Sequence, residues 1–303
     1  MESLNKRSPF VAGAIFYFSL IGYGHAEIAP RLTKFTNESD LVRVASFNIR
    51  VGKYSSGSQR WSNRREMVIS VLADARYDVI GLQEALDFQI AEIHQRLPRY
   101  EVYAIGRGSQ QDTGETCAIL FRKDRFCKID SGTLWFSSTP WEPGSKFMGT
   151  LFPRICSWVR LADLETTRCF YVYNLHLDNL SQKSRSKSAQ ILAEQISLRK
   201  HSEPFIVMGD FNMELQNPAM KFLQHYDCRT PYPRLQDTWA AVHPYRLNEG
   251  TYHKFKGVTT GPKIDHILVG EGSRVLAAAI DRRAFNGQYP SDHFPISAVV
   301  NLW

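Results

Sequence analysis

Nothing in the 303-residue sequence divides it. There is no linker rich in proline, glycine and serine, no internal repeat and no low-complexity tract, which favours one large α/β domain over two smaller ones. Cysteine is scarce and irregularly placed: Cys117, Cys127, Cys156, Cys169 and Cys228 form no C-x-x-C or His/Cys spacing, which excludes the usual zinc frameworks. An odd count leaves at least one thiol unpaired, and Cys117, Cys156 and Cys169 lie in strand-like runs where small buried hydrophobes are expected. The apolar run near the N-terminus, Phe10 to Ile21, is too short to cross a bilayer comfortably, and no cysteine follows it to accept a lipid. A strong charge of one sign is also missing. The net charge of +7 is mild, and a solvated basic surface accounts for it as readily as a polyanionic partner does.

What is present begins with that apolar run. Lys6 and Arg7 precede it and Gly24-His25-Ala26 follow it, the layout of a secretory signal peptide over residues 1–26. The mature chain is expected to start near Glu27, secreted or periplasmic, with anchoring through residues 10–21 if the signal is not cut. Residues 27–40 form an extension, and 41–303 the domain. Hydrophobic content of 43% and aromatic content of 12% suffice for a sizeable core.

Strands are expected over Leu41–Arg50, Tyr77–Glu84, Tyr100–Ile105, Glu115–Arg122, Phe126–Leu134, Ile155–Leu164, Cys169–Leu177, Phe205–Gly209, Lys263–Gly270, Val275–Asp281 and Phe294–Leu302. The pair Ile155–Leu164 and Cys169–Leu177 reads as a hairpin about Glu165-Thr166-Thr167. Helices are expected after Ser62 or Asn63, over Asp87–Leu97, over Ser184–Lys200 with Ala189, Leu192 and Ile196 on one face, and over Pro218–His225. Hairpins mixed with helical crossovers fit an α/β (α+β) four-layer sandwich, two packed mixed β-sheets flanked by helices.

The chain's most informative stretch is Ile206-Val207-Met208-Gly209-Asp210-Phe211-Asn212, a buried strand ending in a carboxylate and a carboxamide. Side chains alternate along a strand, so Asp210 and Asn212 stand on one face if the extended geometry persists. A buried carboxylate needs a compensating partner. The same pattern, polar residues closing an apolar run, recurs at Asn48, at Glu84, at Asn174/His176/Asp178, at Asp265 and at Asp292/His293. One such residue is more often structural than functional; their repetition points to a site.

Ser-Phe-Asn48-Ile-Arg, Gly-Leu-Gln-Glu84, Asn174-Leu-His176-Leu-Asp178, Gly-Asp210-Phe-Asn212, Ile-Asp265-His-Ile and Ser-Asp292-His293-Phe-Pro resemble the motifs of the endonuclease/exonuclease/phosphatase superfamily, in family order from about Val42 to Val300. The resemblance implies the DNase I-like four-layer sandwich, with the site at one edge of the two sheets, and a metal-dependent phosphoesterase. Phosphodiester hydrolysis needs charge neutralised on the phosphoryl oxygens, an activated water and help for the leaving oxygen. Glu84, Asn48 and Asp292 are the expected ligands of Mg2+ or Mn2+. Asp210 is the family's water-activating or metal-adjacent carboxylate, Asn212 a donor to the phosphoryl oxygen, and His293 is oriented by Asp265. From the DNase I branch, Glu115 is expected to partner His176, and Arg154 to contact phosphate. Asn174, Asp178 and Arg50 are expected to contact substrate. Abasic-site endonucleases carry an aspartate where this chain has Arg50, which speaks against a repair role.

Substrate is left to the loops. Arg60, Arg64 and Arg65 with Trp61, and Lys183, Arg185 and Lys187, suit a nucleic-acid backbone with a stacked base, or simply a solvated helix start. Trp135-Phe136 through Trp141 and Phe147-Met148 would suit a membrane surface. The segments Gly106-Arg107 to Gly114-Glu115 and Trp141-Glu-Pro-Gly144-Ser resemble a bacterial group with mostly undefined substrates. The expected function is therefore an exported, monomeric Mg2+-dependent phosphodiesterase, first of nucleic acid. A phospholipid, phospho-sugar or inositol phosphoesterase is the alternative, and an inactive binding relative the remote one.

Overall fold

Among the described residues, twelve strands fall into two six-stranded sheets whose central strands are buried on both faces. The computed structural model describes residues 37–303 except 75, 111–112, 226–230 and 247–248. The expected signal peptide, most of the extension and Cys228 lie outside the described residues. In chain order the elements are β1 (Leu41–Asn48), α1 (Trp61–Asp74), β2 (Val79–Ala85), α2 (Asp87–Arg96), β3 (Tyr100–Tyr103), β4 (Thr116–Arg122), β5 (Phe126–Trp135), β6 (Ile155–Asp163), β7 (Cys169–His176), α3 (Gln182–Ser197), β8 (Phe205–Asp210), α4 (Pro218–Leu223), β9 (Leu235–Asp237), α5 (Thr238–Val242), β10 (Asp265–Gly270), β11 (Arg274–Ile280) and β12 (Ile296–Asn301).

One sheet runs β11-β12-β1-β2-β4-β3 and the other β5-β6-β7-β8-β10-β9. Each is built around one parallel pair, β1 with β2 and β7 with β8, joined through α1 and α3; the other pairings are antiparallel. A parallel pair needs a crossover long enough to return the chain, and a helix laid on the outer face supplies it. The period of two then sorts each strand. Val42 and Val44, Val79, Ile206 and Met208, and Ile267 meet between the sheets. Phe47, Ile80 and Leu82 face outward onto Val68 and Leu72 of α1 and Ile93 of α2. Val207, Tyr173 and Leu175 face Ala189, Leu192 and Ile196 of α3, the face expected from the helical spacing.

The hairpin about residues 164–167 forms as expected. Several ends differ. The first strand stops at Asn48, because Arg50 takes a left-handed φ of 59°. The second begins at Val79, and α1 begins at Trp61, so Ser62 and Asn63 lie inside its first turn. Ser181, three residues ahead of the expected start, caps α3 by accepting from Ser184 N (3.1 Å). The short β9 and α5 were not read from the sequence; neither carries enough periodic residues to signal itself. Cys117 and Cys156 are buried as expected, but Cys169 is only half-buried because it opens β7 at the hairpin.

Candidate active site

The strand alternation that builds the core also carries polar groups to the sheet ends. In register, His176 pairs with Asp210 and Asp210 with Asp265, so one residue from each of β7, β8 and β10 forms a row on the inter-sheet face. Asn48, at the end of β1, reaches this row from the opposite sheet: its Nδ2 donates to Asp210 Oδ2 (3.0 Å) and to Glu84 Oε1 (3.1 Å). Gly209, just before Asp210, has a φ of 148°, and a Cβ there would lie 2.0 Å from Leu175 O, so only glycine lets β8 lie this close to β7.

Glu84 would face the helices by simple alternation. Instead, β2 slips in register against β4 between Gln83 and Ala85, and Glu84 takes a φ of 59°. The bulge turns its carboxylate into the cleft. Left-handed non-glycine residues cost about 1–3 kcal/mol each. Three of them, Arg50, Glu84 and Asn212, meet at this cleft. Bonds made only in the folded site offset the cost: Val51 N donates to Glu84 Oε2 (2.9 Å) and Asn212 N to Asp210 Oδ1 (2.9 Å). Burial alone would raise Glu84, but the Val51 N–H, the Arg50 charge and the Asn48 amide outweigh it and hold its carboxyl below the usual range.

The cleft, of about 410 Å³, is lined by Arg50, Glu84, Glu115, Arg154, His176, Asp210, Asn212, Asp292 and His293 from the expected set. It has two ends. At one, Arg50 Nη1 stands 3.6 Å from Glu84 Oε2 and 3.8 Å from Asp292 Oδ2, so two carboxylates share one loosely held, part-exposed cation. At the other, Arg154 Nη1 donates to His176 Nε2 (3.1 Å) and Nη2 to Asn179 Oδ1 (3.0 Å), which fixes the guanidinium plane. His176 Nε2 accepts that bond and so carries no proton, in keeping with burial and the Arg154 charge, which push the imidazole well below its ordinary pKa.

Between the ends lies His293. Its Nδ1 donates to Asp265 Oδ2 (2.8 Å), and its Nε2 is 3.8 Å from Asp210 Oδ2. Burial works against the charged ring but loses to Asp265 and Asp210, which raise the imidazole to about 10. Asp210, buried and close to Asp265, is pushed up to about 7. Asp210, Asp265 and His293 also lie close enough together to resemble a metal cluster. A proton held between Asp265 and His293 makes that ring a donor rather than a ligand, and Glu84 with Asp292 is the better seat for a hard cation.

Four expectations change. Glu115 does not partner His176: its Oε1 is bonded by Arg107 Nη2 (2.7 Å). Asn48 turns its nitrogen to Glu84 while its oxygen receives Arg50 N–H (3.0 Å), so it ties two carboxylates together instead of offering a ligand. Asn174 is fully buried between the sheets, with Gln83 Nε2 on its oxygen (2.6 Å) and its own nitrogen on Leu82 O and Ala118 O, so it cannot meet substrate. Asp178 Oδ1 caps Leu180 N and Ser181 N, and its Oδ2 stands 3.8 Å from Arg154 Nε, so it positions that arginine from behind.

Other residues could not be read from the sequence. Arg107, Asn179 and Tyr252 line the cleft from loops without periodicity. Arg64, expected on a basic surface, is fully buried; it donates to the carbonyls of Gln59, Ile49, Arg50 and Pro290 and so braces the two loops that carry Arg50 and Asp292. Behind Asp265 lies a buried set: His266 Nδ1 donates to Asp237 Oδ2 (2.7 Å) and its Nε2 to Met213 O (2.9 Å), while Lys263 Nζ donates to Asp265 O (3.2 Å).

Comparison with known proteins agrees with this geometry. The profile of the Endonuclease/Exonuclease/phosphatase family matches residues 45–293. A crystal structure of an endonuclease/exonuclease/phosphatase family protein from Bacteroides thetaiotaomicron is 29% identical, with a TM-score of 0.76, over 86% of this chain and 97% of its own. A mannosyl-6-phosphatase of the same bacterium is 29% identical, with a TM-score of 0.75, over 86% and 99%. An uncharacterized protein of Acanthamoeba polyphaga mimivirus is 25% identical over 269 residues, 84% of this chain and 98% of that protein.

Proposed function

The chain belongs to the Endonuclease/Exonuclease/phosphatase family and is a phosphoester hydrolase; we propose that it uses a divalent cation, Mg2+ or Mn2+, and that its substrate is a small phosphorylated compound of the sugar-phosphate kind. The observation that carries this reading is the cleft itself. Its buried Arg154, clamped between His176 and Asn179, lines the same cleft as a charged His293 held between Asp265 and Asp210.

The donor set fits the cation. Glu84 and Asp292 are hard oxygen donors already sharing a positive charge, and Arg50 is held loosely enough to move aside. Bound there, the ion would neutralise charge on the phosphoryl oxygens and the leaving oxygen. The protein's own groups do the rest. Arg154 binds two phosphoryl oxygens, since a guanidinium fork matches them. Asp210, poised near neutrality, takes a proton from the attacking water. His293 donates from Nε2 to an oxygen that gains charge, while Asp265 fixes the ring through Nδ1.

The nucleic-acid reading loses most of its sequence support. Arg64 and Trp61 are buried, Arg65 is paired with Glu66 and Glu92, and Arg185 Nη1 bonds Asp178 O (2.8 Å). The similarity to a mannosyl-6-phosphatase supports the sugar-phosphate alternative. A lipid head group has one specific observation in its favour, the exposed Trp141, Met148 and Leu151 in the segment that leads to the cleft-lining Phe152. The basic-apolar pattern of residues 1–26 supports an exported enzyme. The test is hydrolysis of hexose 6-phosphate (phosphate released), plasmid DNA and RNA (strand cleavage) and sphingomyelin (phosphocholine released) side by side, with Mg2+ and with EDTA. Turnover of hexose 6-phosphate that EDTA abolishes is expected. Cleavage of DNA or RNA at a rate above the sugar phosphate would overturn the substrate assignment, and full activity in EDTA the metal assignment.

A further inference from the structure

We propose that Arg107, Glu115 and Phe152 form a subsite for adjacent hydroxyl groups on the leaving group, an inference that rests on the sugar-phosphate reading above. Arg107 Nη2 and Glu115 Oε1 are 2.7 Å apart, and both side chains are largely buried, 13% and 18% exposed. The pair lines the cleft and shares a small recess with Arg154 and His176. The pair therefore lies beside the place where Arg154 would hold a phosphate, within reach of the rest of an esterified molecule.

The pair is not needed to close its loop. Arg107 N already donates to Glu115 O (3.0 Å), and Trp135 Nε1 donates to Arg107 O (2.8 Å), so the backbone is fixed without the side chains. Among the described residues the second oxygen of Glu115 and the remaining Arg107 N–H groups bond to nothing, and they face the cleft. Open to the cleft, these groups are free to bond a ligand that enters it. Their chemistry selects the partner. An anionic group would be repelled by Glu115 and a cationic one by Arg107, whereas a hydroxyl donates to the carboxylate and accepts from the guanidinium. Two neighbouring hydroxyls satisfy both at once. The Phe152 ring packs on the Arg107 guanidinium, 4.9 Å from its centroid, yet is half exposed at the rim, which leaves apolar surface for the C–H face of a sugar ring.

The experiment is calorimetric titration of hexose 6-phosphate and of inorganic phosphate, in EDTA, into the whole protein and its Glu115→Gln and Phe152→Ala variants, with a thermal melt of each. Glu115→Gln is expected to weaken hexose 6-phosphate about 10-fold or more, the scale of a lost hydrogen bond to a charged group. Inorganic phosphate should bind equally or more tightly, because the Arg107 charge beside Arg154 is then uncompensated. A merely structural role would weaken both ligands together. Phe152→Ala, on the exposed rim, should lower only hexose 6-phosphate affinity. Equal losses for both ligands, or no change for hexose 6-phosphate in either variant, would overturn the subsite. Selective binding without phosphate release in Mg2+ would leave the subsite standing and sink the sugar-phosphate substrate reading, whereas EDTA-sensitive turnover without selective binding would do the reverse.

Discussion

Replacing Asp265 by asparagine should move both limbs of the pH–rate profile to lower pH. With Asp210 as the base and His293 as the charged donor, kcat/KM rises as Asp210 ionises at about 7 and falls as His293 loses its proton at about 10. Asparagine keeps an oxygen near Nδ1 but removes the charge 2.8 Å from it. At an effective dielectric constant of about 20, a unit charge at that distance is worth at most about 6 kcal/mol. Asp210 and Asp292 still face the ring and the hydrogen bond survives, so only part of this is lost; a fall of about 1–3 pH units in the alkaline limb is the expected scale. Each pH unit corresponds to about 1.4 kcal/mol. The acid limb moves the same way, because Asp265 is, beside burial, the cause that raises Asp210. The assay is kcat/KM for a phosphate ester between pH 5 and 11 at saturating Mg2+. If only the height fell and the alkaline limb stayed in place, Asp265 would not be what holds the imidazolium, and the roles given to this pair would be wrong.

Arg64→Met should destabilise the protein by about 2–4 kcal/mol in urea, because the carbonyls of Ile49, Arg50 and Pro290 lose a shared donor in the core. The same variant should need more Mg2+ for half-maximal rate, since the loops carrying Arg50 and Asp292 loosen together; unchanged stability would refute the bracing. Asp237→Asn should cost about 3–5 kcal/mol at pH 7 by leaving His266 and Lys263 without their carboxylate. Burial would raise Asp237, but Lys263 and His266 prevail and hold its carboxyl well below the usual range. Its contribution is therefore present above its unfolded pKa and lost as pH falls through the depressed folded value, so wild type and variant should begin to converge below about pH 4 and meet only well below it. Finally, mass spectrometry of the exported chain should show a start near Glu27; a full-length chain confined to the cytoplasm would contradict the signal.

Much of this protein is legible in its sequence because two local periodicities carry it. The apolar runs of β1, β2, β7 and β8 are buried on both faces, so each announces a central strand, and a polar residue closing such a run has no place to go but the sheet end. Asp210, Asp265 and His176 could be picked out on that ground alone, and the hairpin at residues 164–167 follows from turn residues between two strand-like runs. Tertiary structure decided what periodicity cannot encode. Glu84 enters the cleft only through a bulge against β4, a pairing between segments more than thirty residues apart. Glu115 turns to Arg107 and leaves His176 to Arg154, because partner choice depends on which loops meet across the cleft. Arg64 looks like a surface cation in the sequence, yet the convergence of two loops buries it and offers its guanidinium a set of carbonyls. The sequence by itself determined which side chains reach the end of the sandwich; the long-range contacts determined which of them face substrate, which face one another, and which hold the others in place.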